Sequence, residues 1–86
     1  MIDAIEKLRK QLIFRSWHRG TREMDLLLGS FADRHVPEMS AEDLNDYQAF
    51  LELSDPELYN WYLQKEAVPA NLNTQLMQGF LNHKVS

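Results

Sequence analysis

Apolar residues recur three and four positions apart along nearly the whole chain, and no stretch alternates as a strand does. Ile5, Leu8 and Leu12, with Ser16 one turn on, mark one stripe of a first helix, flanked by Ile2, Ile13 and Trp17. Asp3 followed by Glu6 has the N-cap and N3 spacing of a capping box. Gly20 then interrupts the pattern, as expected of a residue that ends a helix at positive φ. A second helix starts at Thr21 or just before it and should bury Met24, Leu27, Leu28, Phe31 and His35. Glu23 and Asp25 fall in its first turn, where negative charge meets the positive end of the helix dipole. Pro37 closes it. Ser40 with Asp43 opens a third helix whose inner face is Leu44, Tyr47 and Leu51, with Phe50 alongside.

The stretch SDPELYNW, residues 54–61, announces a fourth helix. Asp55 reads as its N-cap, Pro56 suits the first helical position and Glu57 adds first-turn charge. This helix is expected over about residues 56–66. Its Tyr59, Trp61 and Tyr62 span about 300° of the helix, which should leave at least one of them on the surface. After AVPAN, residues 67–71, Asn71 can cap a fifth helix with the stripe Leu72, Leu76, Met77, Phe80 and Leu81. Gly29 and Gly79 fall inside these helices, and close approach of neighbouring helices would be a reason to tolerate them. The expected fold is all-α: one domain over residues 1–86, a compact bundle of five short helices.

Composition narrows the chemistry. The chain has no cysteine, which excludes disulfides, thiolate metal sites and a cysteine nucleophile. No apolar run is long enough for a membrane span, and MIDAIEKLRKQ has no signal-peptide apolar core, so a cytoplasmic protein is expected. The net charge of -4 hides a polarity along the chain. Residues 1–22 hold six Lys/Arg against Asp3 and Glu6, while residues 23–86 hold three against eleven acids. A basic first helix admits a second reading, a small helical nucleic-acid-binding regulator, which the acidic remainder of the chain opposes. His18, His35 and His83 lack metal-ligand spacing, and no glycine-rich phosphate loop occurs. An enzyme using Glu23 as base would need a pocket that so small a bundle rarely encloses.

One corner stands out. Arg15, Arg19 and Arg22 lie within eight residues around Gly20, just ahead of Glu23 and Asp25. Arg19 and Glu23, four apart, have the spacing to pair. A guanidinium and a carboxylate projecting from a bent backbone would give a partner directional contacts.

These residues resemble the SdhE/Sdh5 family, the succinate dehydrogenase assembly factor 2 group. The resemblance rests on an RGxxE motif, Arg19, Gly20 and Glu23, followed by a DPxLxxW-like element, Asp55, Pro56, Leu58 and Trp61. With the intervening LLLGSFADRH helix it extends over about residues 8–82, nearly the whole chain. It implies an assembly factor, not an enzyme, that binds the flavoprotein subunit of succinate dehydrogenase, and of fumarate reductase in bacteria. It would promote covalent attachment of FAD there, between the flavin 8α-methyl carbon and a histidine of that subunit. FAD then belongs to the partner and is not bound tightly by this chain. The implied contact patch is Arg19, Gly20 and Glu23, with Trp17 and Arg22 as neighbours. Asp55, Pro56 and Trp61 are further candidates, as a helix start and a tryptophan beneath the patch.

Overall fold

The computed structural model describes residues 3–85, so the flanking position expected for Ile2 lies outside the described residues. Five α-helices follow one another: α1 Ala4–Trp17, α2 Arg22–His35, α3 Ala41–Phe50, α4 Asp55–Tyr62 and α5 Gln75–Asn82. Short 3₁₀ turns at Val36–Glu38 and Ala70–Leu72 precede α3 and α5, and no strand occurs among the described residues.

Every α-helix begins on a side chain that accepts a backbone N–H left free by the first turn: Asp3, Thr21, Ser40, Ser54 and Thr74. Two of these differ from expectation. Ser54, not Asp55, caps α4, placing Asp55 and Pro56 inside the first turn. Thr74, not Asn71, caps α5, because Asn71 is taken up in the preceding 3₁₀ turn and Leu72 packs outside the helix. Both are short hydroxyl side chains next to a more conspicuous signal. The capping box of α1 is half formed: Asp3 accepts from the Ile5 amide, while Glu6 turns to Arg9 instead of back to the cap.

Helix α4 ends at Tyr62, about a turn before the expected limit. Gln64 adopts φ 62°, with its amide on the Trp61 carbonyl and the Lys65 amide on the Asn60 carbonyl. This is the Schellman pattern with glutamine in the place glycine usually fills, so no glycine marked it.

Helices α1 and α2 pack as a hairpin about Gly29. A Cβ on Gly29 would come within 2.1 Å of the Trp17 ring, so only glycine lets that indole lie on the helix backbone. Gly79 differs from expectation: the nearest atom to its added Cβ is on Phe31 at 3.8 Å, an ordinary contact that demands no glycine. The core gathers the stripes read from the sequence, including Leu12, Leu27, Leu28, Phe31, Leu44, Tyr47, Leu58 and Phe80, all fully buried. Phe31 joins the layers, with Tyr47 of α3 and Phe80 of α5 at 6.0 and 6.1 Å between ring centroids. Of the three aromatics in α4, Trp61 is buried and Tyr59 and Tyr62 are half-buried against the core, so none stands fully in solvent.

Ser16, on the apolar stripe of α1, is wholly buried and explains its own presence there. Its hydroxyl donates to the Leu12 carbonyl at 2.7 Å and accepts from the Tyr47 hydroxyl at 2.7 Å. Burial pushes the Tyr47 phenol up to about 12, so it stays a donor across the physiological range.

Candidate functional site

The connection from α1 to α2 is built by backbone geometry first. Helix α1 stops at Trp17, and the His18 amide returns to the Arg15 carbonyl at 3.3 Å. Two residues on, Gly20 sits at φ +124°, a conformation L side chains rarely adopt. Thr21 then caps α2. The Asp25 carboxylate reaches back from the first turn of α2 to accept both the Arg19 and Gly20 amides. The sharp reversal thus leaves neither amide unpartnered.

Arg19 leaves this turn inwards. Its Nε donates to Asp55 Oδ1 at 2.9 Å, and one terminal nitrogen approaches the same oxygen at 2.7 Å. The guanidinium also donates to the carbonyls of Leu51, at 2.7 Å, and Leu53, at 3.0 Å. Leu51 is the C-cap of α3, so these are carbonyls that the helix end leaves without an internal partner. The side chains of Arg19 and Asp55 are only 12% and 20% exposed. The expected Arg19–Glu23 pair is therefore replaced by Arg19–Asp55. The guanidinium cannot serve both, because three acceptors on the α3–α4 connection hold it on the inner side of the turn.

What remains on the outside is a small face around Gly20. Gly20, Arg22 and Glu23 are exposed and Trp17 is half-buried, its Nε1 donating to Asp33 at 3.2 Å. A shallow groove of about 530 Å³ runs among Trp17, His18, Gly20, Thr21, Arg22, Asp25 and Leu26. Leu26 is 39% exposed, and Phe14, 63% exposed, stacks on His18 with ring centroids 4.0 Å apart. Phe14, His18 and Leu26 thus put apolar surface beside the groove at Gly20. Of the other candidates, Pro56 is exposed at the start of α4, whereas Trp61 is buried and supports α4 from beneath. Phe14 and Leu26 were missed from sequence. Their one available signal is that both lie off the buried stripe of their helix.

The two elements that stood out as motifs, at Arg19–Gly20–Glu23 and at Asp55–Pro56–Leu58–Trp61, are thus joined by one half-buried ion pair. The family model described as "Flavinator of succinate dehydrogenase", Sdh5, matches residues 10–84. The chain belongs to the Sdh5 family. It is 42% identical over 82 residues to "Succinate dehydrogenase assembly factor 2, mitochondrial" of Dictyostelium discoideum, covering 95% of this chain and 58% of that protein. It is 37% identical over 76 residues to "FAD assembly factor SdhE" of Acetobacter pasteurianus, covering 88% of this chain and 70% of that one. The Candida glabrata assembly factor 2 matches over 59 residues at 42% identity, covering 69% of this chain and 39% of its own length. The chain therefore spans little more than half of the Dictyostelium relative and most of the Acetobacter one. No helix among the described residues is long and apolar enough to cross a membrane.

Proposed function

We propose that this Sdh5-family chain is an assembly factor that binds the flavoprotein subunit of succinate dehydrogenase and promotes covalent attachment of FAD to it. The observation that carries the reading is the Arg19–Asp55 junction, which fixes the two family motifs into one corner with the bare Gly20 backbone outermost. Gly20, Glu23, Arg22 and Trp17 form the docking face, extended by Phe14, His18 and Leu26. Arg19, Asp55 and Trp61 act on the partner through the shape they give that face, and Pro56 sits at its margin. The chain works by orientation and not by chemistry of its own: it holds the immature subunit in a geometry where bond formation is fast. FAD stays with the partner, which supplies the reacting histidine. Fumarate reductase, which the family resemblance implies as the bacterial acceptor, is a second client, and the cytoplasm is the compartment.

The nucleic-acid reading is weaker. Arg9, Arg15 and Arg19 are engaged with Glu6, Glu52 and Asp55, which leaves only part of the basic first helix for phosphates. The decisive experiment is covalent flavin fluorescence of the flavoprotein subunit, run on a denaturing gel, from cells with and without this protein. Loss of the fluorescent band, restored by the wild-type chain, is the expected result. Equal bands from both cells would sink the proposal.

A further inference from the structure

Between the end of α2, helix α3 and helix α5 the surface opens into a groove of about 590 Å³. Phe31, Met39 and Phe50 form its apolar floor, and Leu72 and Leu76 line the side given by α5 and the turn before it. Its rim carries Glu38, Asp43 and Asp46, all exposed, and among the lining residues there is no Lys or Arg.

Gly79 belongs to this lining. Glycine in the interior of a helix is disfavoured relative to alanine, and at Gly29 the Trp17 ring explains it. At Gly79 nothing among the described residues does, since an added Cβ would merely touch Phe31 at 3.8 Å. What the missing side chain achieves is an open floor above Phe31.

We infer that this groove is a docking site for an amphipathic, basic helix of a partner protein. Its apolar side chains enter between Phe50 and Leu76, and its Lys or Arg residues meet Glu38, Asp43 and Asp46. A helix is the occupant because the described residues offer no strand edge with which an extended segment could pair, whereas a helix satisfies its own backbone. The one-signed rim selects a basic helix and repels an acidic one. No residue lines both this groove and the one at Gly20, so the site is separate from the flavinylation corner.

The test needs no flavoprotein, so its failure and the failure of the flavinylation reading are independent. A synthetic Leu/Lys amphipathic helical peptide and its Leu/Glu counterpart are titrated into the isotope-labelled full chain and followed by amide chemical shifts. The Leu/Lys peptide is expected to move Ala49, Leu76 and Gly79, and the Leu/Glu peptide to move none of them. Asp43→Lys combined with Asp46→Lys, both at exposed positions, should weaken the Leu/Lys peptide by about tenfold or more and admit the Leu/Glu peptide. Gly79→Ala should fold and bind the Leu/Lys peptide less tightly. Absence of binding, shifts spread over the acidic surface that spare Gly79 and Leu76, or a charge-reversed variant that treats both peptides as the wild type does would overturn it.

Discussion

The Arg19 guanidinium and the Asp55 carboxylate, 36 residues apart in the chain, meet where the α1–α2 turn packs against the α3–α4 connection. Arg19 lies in the turn between α1 and α2. Asp55 opens α4, and the Leu51 and Leu53 carbonyls that share the guanidinium lie between α3 and α4. One side chain thereby ties the first half of the bundle to the second. Asp55 also sits in the first turn of α4, where the helix dipole favours its charge.

Replacing Arg19 tests that junction. A lysine ammonium is a single point on a flexible stem and cannot reach the carboxylate and both carbonyls together. Arg19→Lys is expected to lose about 1–3 kcal/mol in urea unfolding, because charged hydrogen bonds here are largely shielded from water. For a domain of this size that is a fall in Tm of roughly 4–8 °C per kcal/mol. An unchanged Tm would show that Arg19 is not a structural tie.

Gly20 separates stability from docking. None of the described residues lies within 4 Å of a Cβ placed there, so substitution meets backbone strain but no collision with them. Gly20→Ala should lose about 1–3 kcal/mol, the cost of holding an L side chain at φ +124°, outside the left-handed helical region. Gly20→Arg should keep its helical circular dichroism yet abolish covalent flavin on the co-expressed flavoprotein subunit, because bulk is added on the docking face. A Gly20→Arg protein that is folded and fully active would remove Gly20 from that face.

How much of this was legible beforehand differs between fold and site. Helical stripes placed most core residues correctly, since burial follows periodicity, but His35, expected inside, is only half-buried at the end of α2, as are Ile5, Leu8, Leu76 and Leu81 at the edges of their stripes. Helix ends were read less well where the working residue was a plain serine, threonine or glutamine beside a louder Asp, Asn or Pro, as at Ser54, Thr74 and Gln64. At the corner, Gly20 was found for the right reason, its positive φ. The direction of Arg19 was not, because local spacing offers Glu23 as a partner and only the tertiary fold brings Asp55 near. Phe14 and Leu26 escaped because exposure of an apolar residue is a property of packing and not of residue type.

The two helix-interior glycines should respond with opposite sign to the same substitution. Gly29→Ala drives a methyl into the Trp17 ring, and overpacking of that kind costs about 1–3 kcal/mol, more than the roughly 1 kcal/mol gained in helix propensity. Gly79→Ala meets only an ordinary contact and should stabilise by up to about 1 kcal/mol. Urea unfolding of both variants decides the matter, with tryptophan emission in a Trp61→Phe background reporting displacement of Trp17. Equal and same-signed effects would refute the distinction drawn between the two sites.

His83 should make stability depend on pH near neutrality. Burial lowers the pKa of its imidazole below the ordinary value, with the charges of His35 and Arg34 acting in the same direction. The ring lies 5.6 Å from Phe31 and 6.4 Å from His35, and its Nε2 donates to Ser30, whose own hydroxyl proton is directed to the Leu26 carbonyl. Its carbonyl accepts from the Tyr62 hydroxyl at 2.6 Å, a contact that fastens the end of α5 to α4. In the unfolded chain the same imidazole titrates near its ordinary value of about 6.5. Above that pH both states are neutral and the stability is fully present. As pH falls through that value towards the lower folded pKa, the unfolded chain takes up the proton first, and stability is lost. Tm is therefore expected to fall between about pH 7.5 and 5.5 in the wild type, with a flatter profile in His83→Gln and most of the slope kept in His35→Gln. A His83→Gln profile parallel to that of the wild type would assign the titration elsewhere.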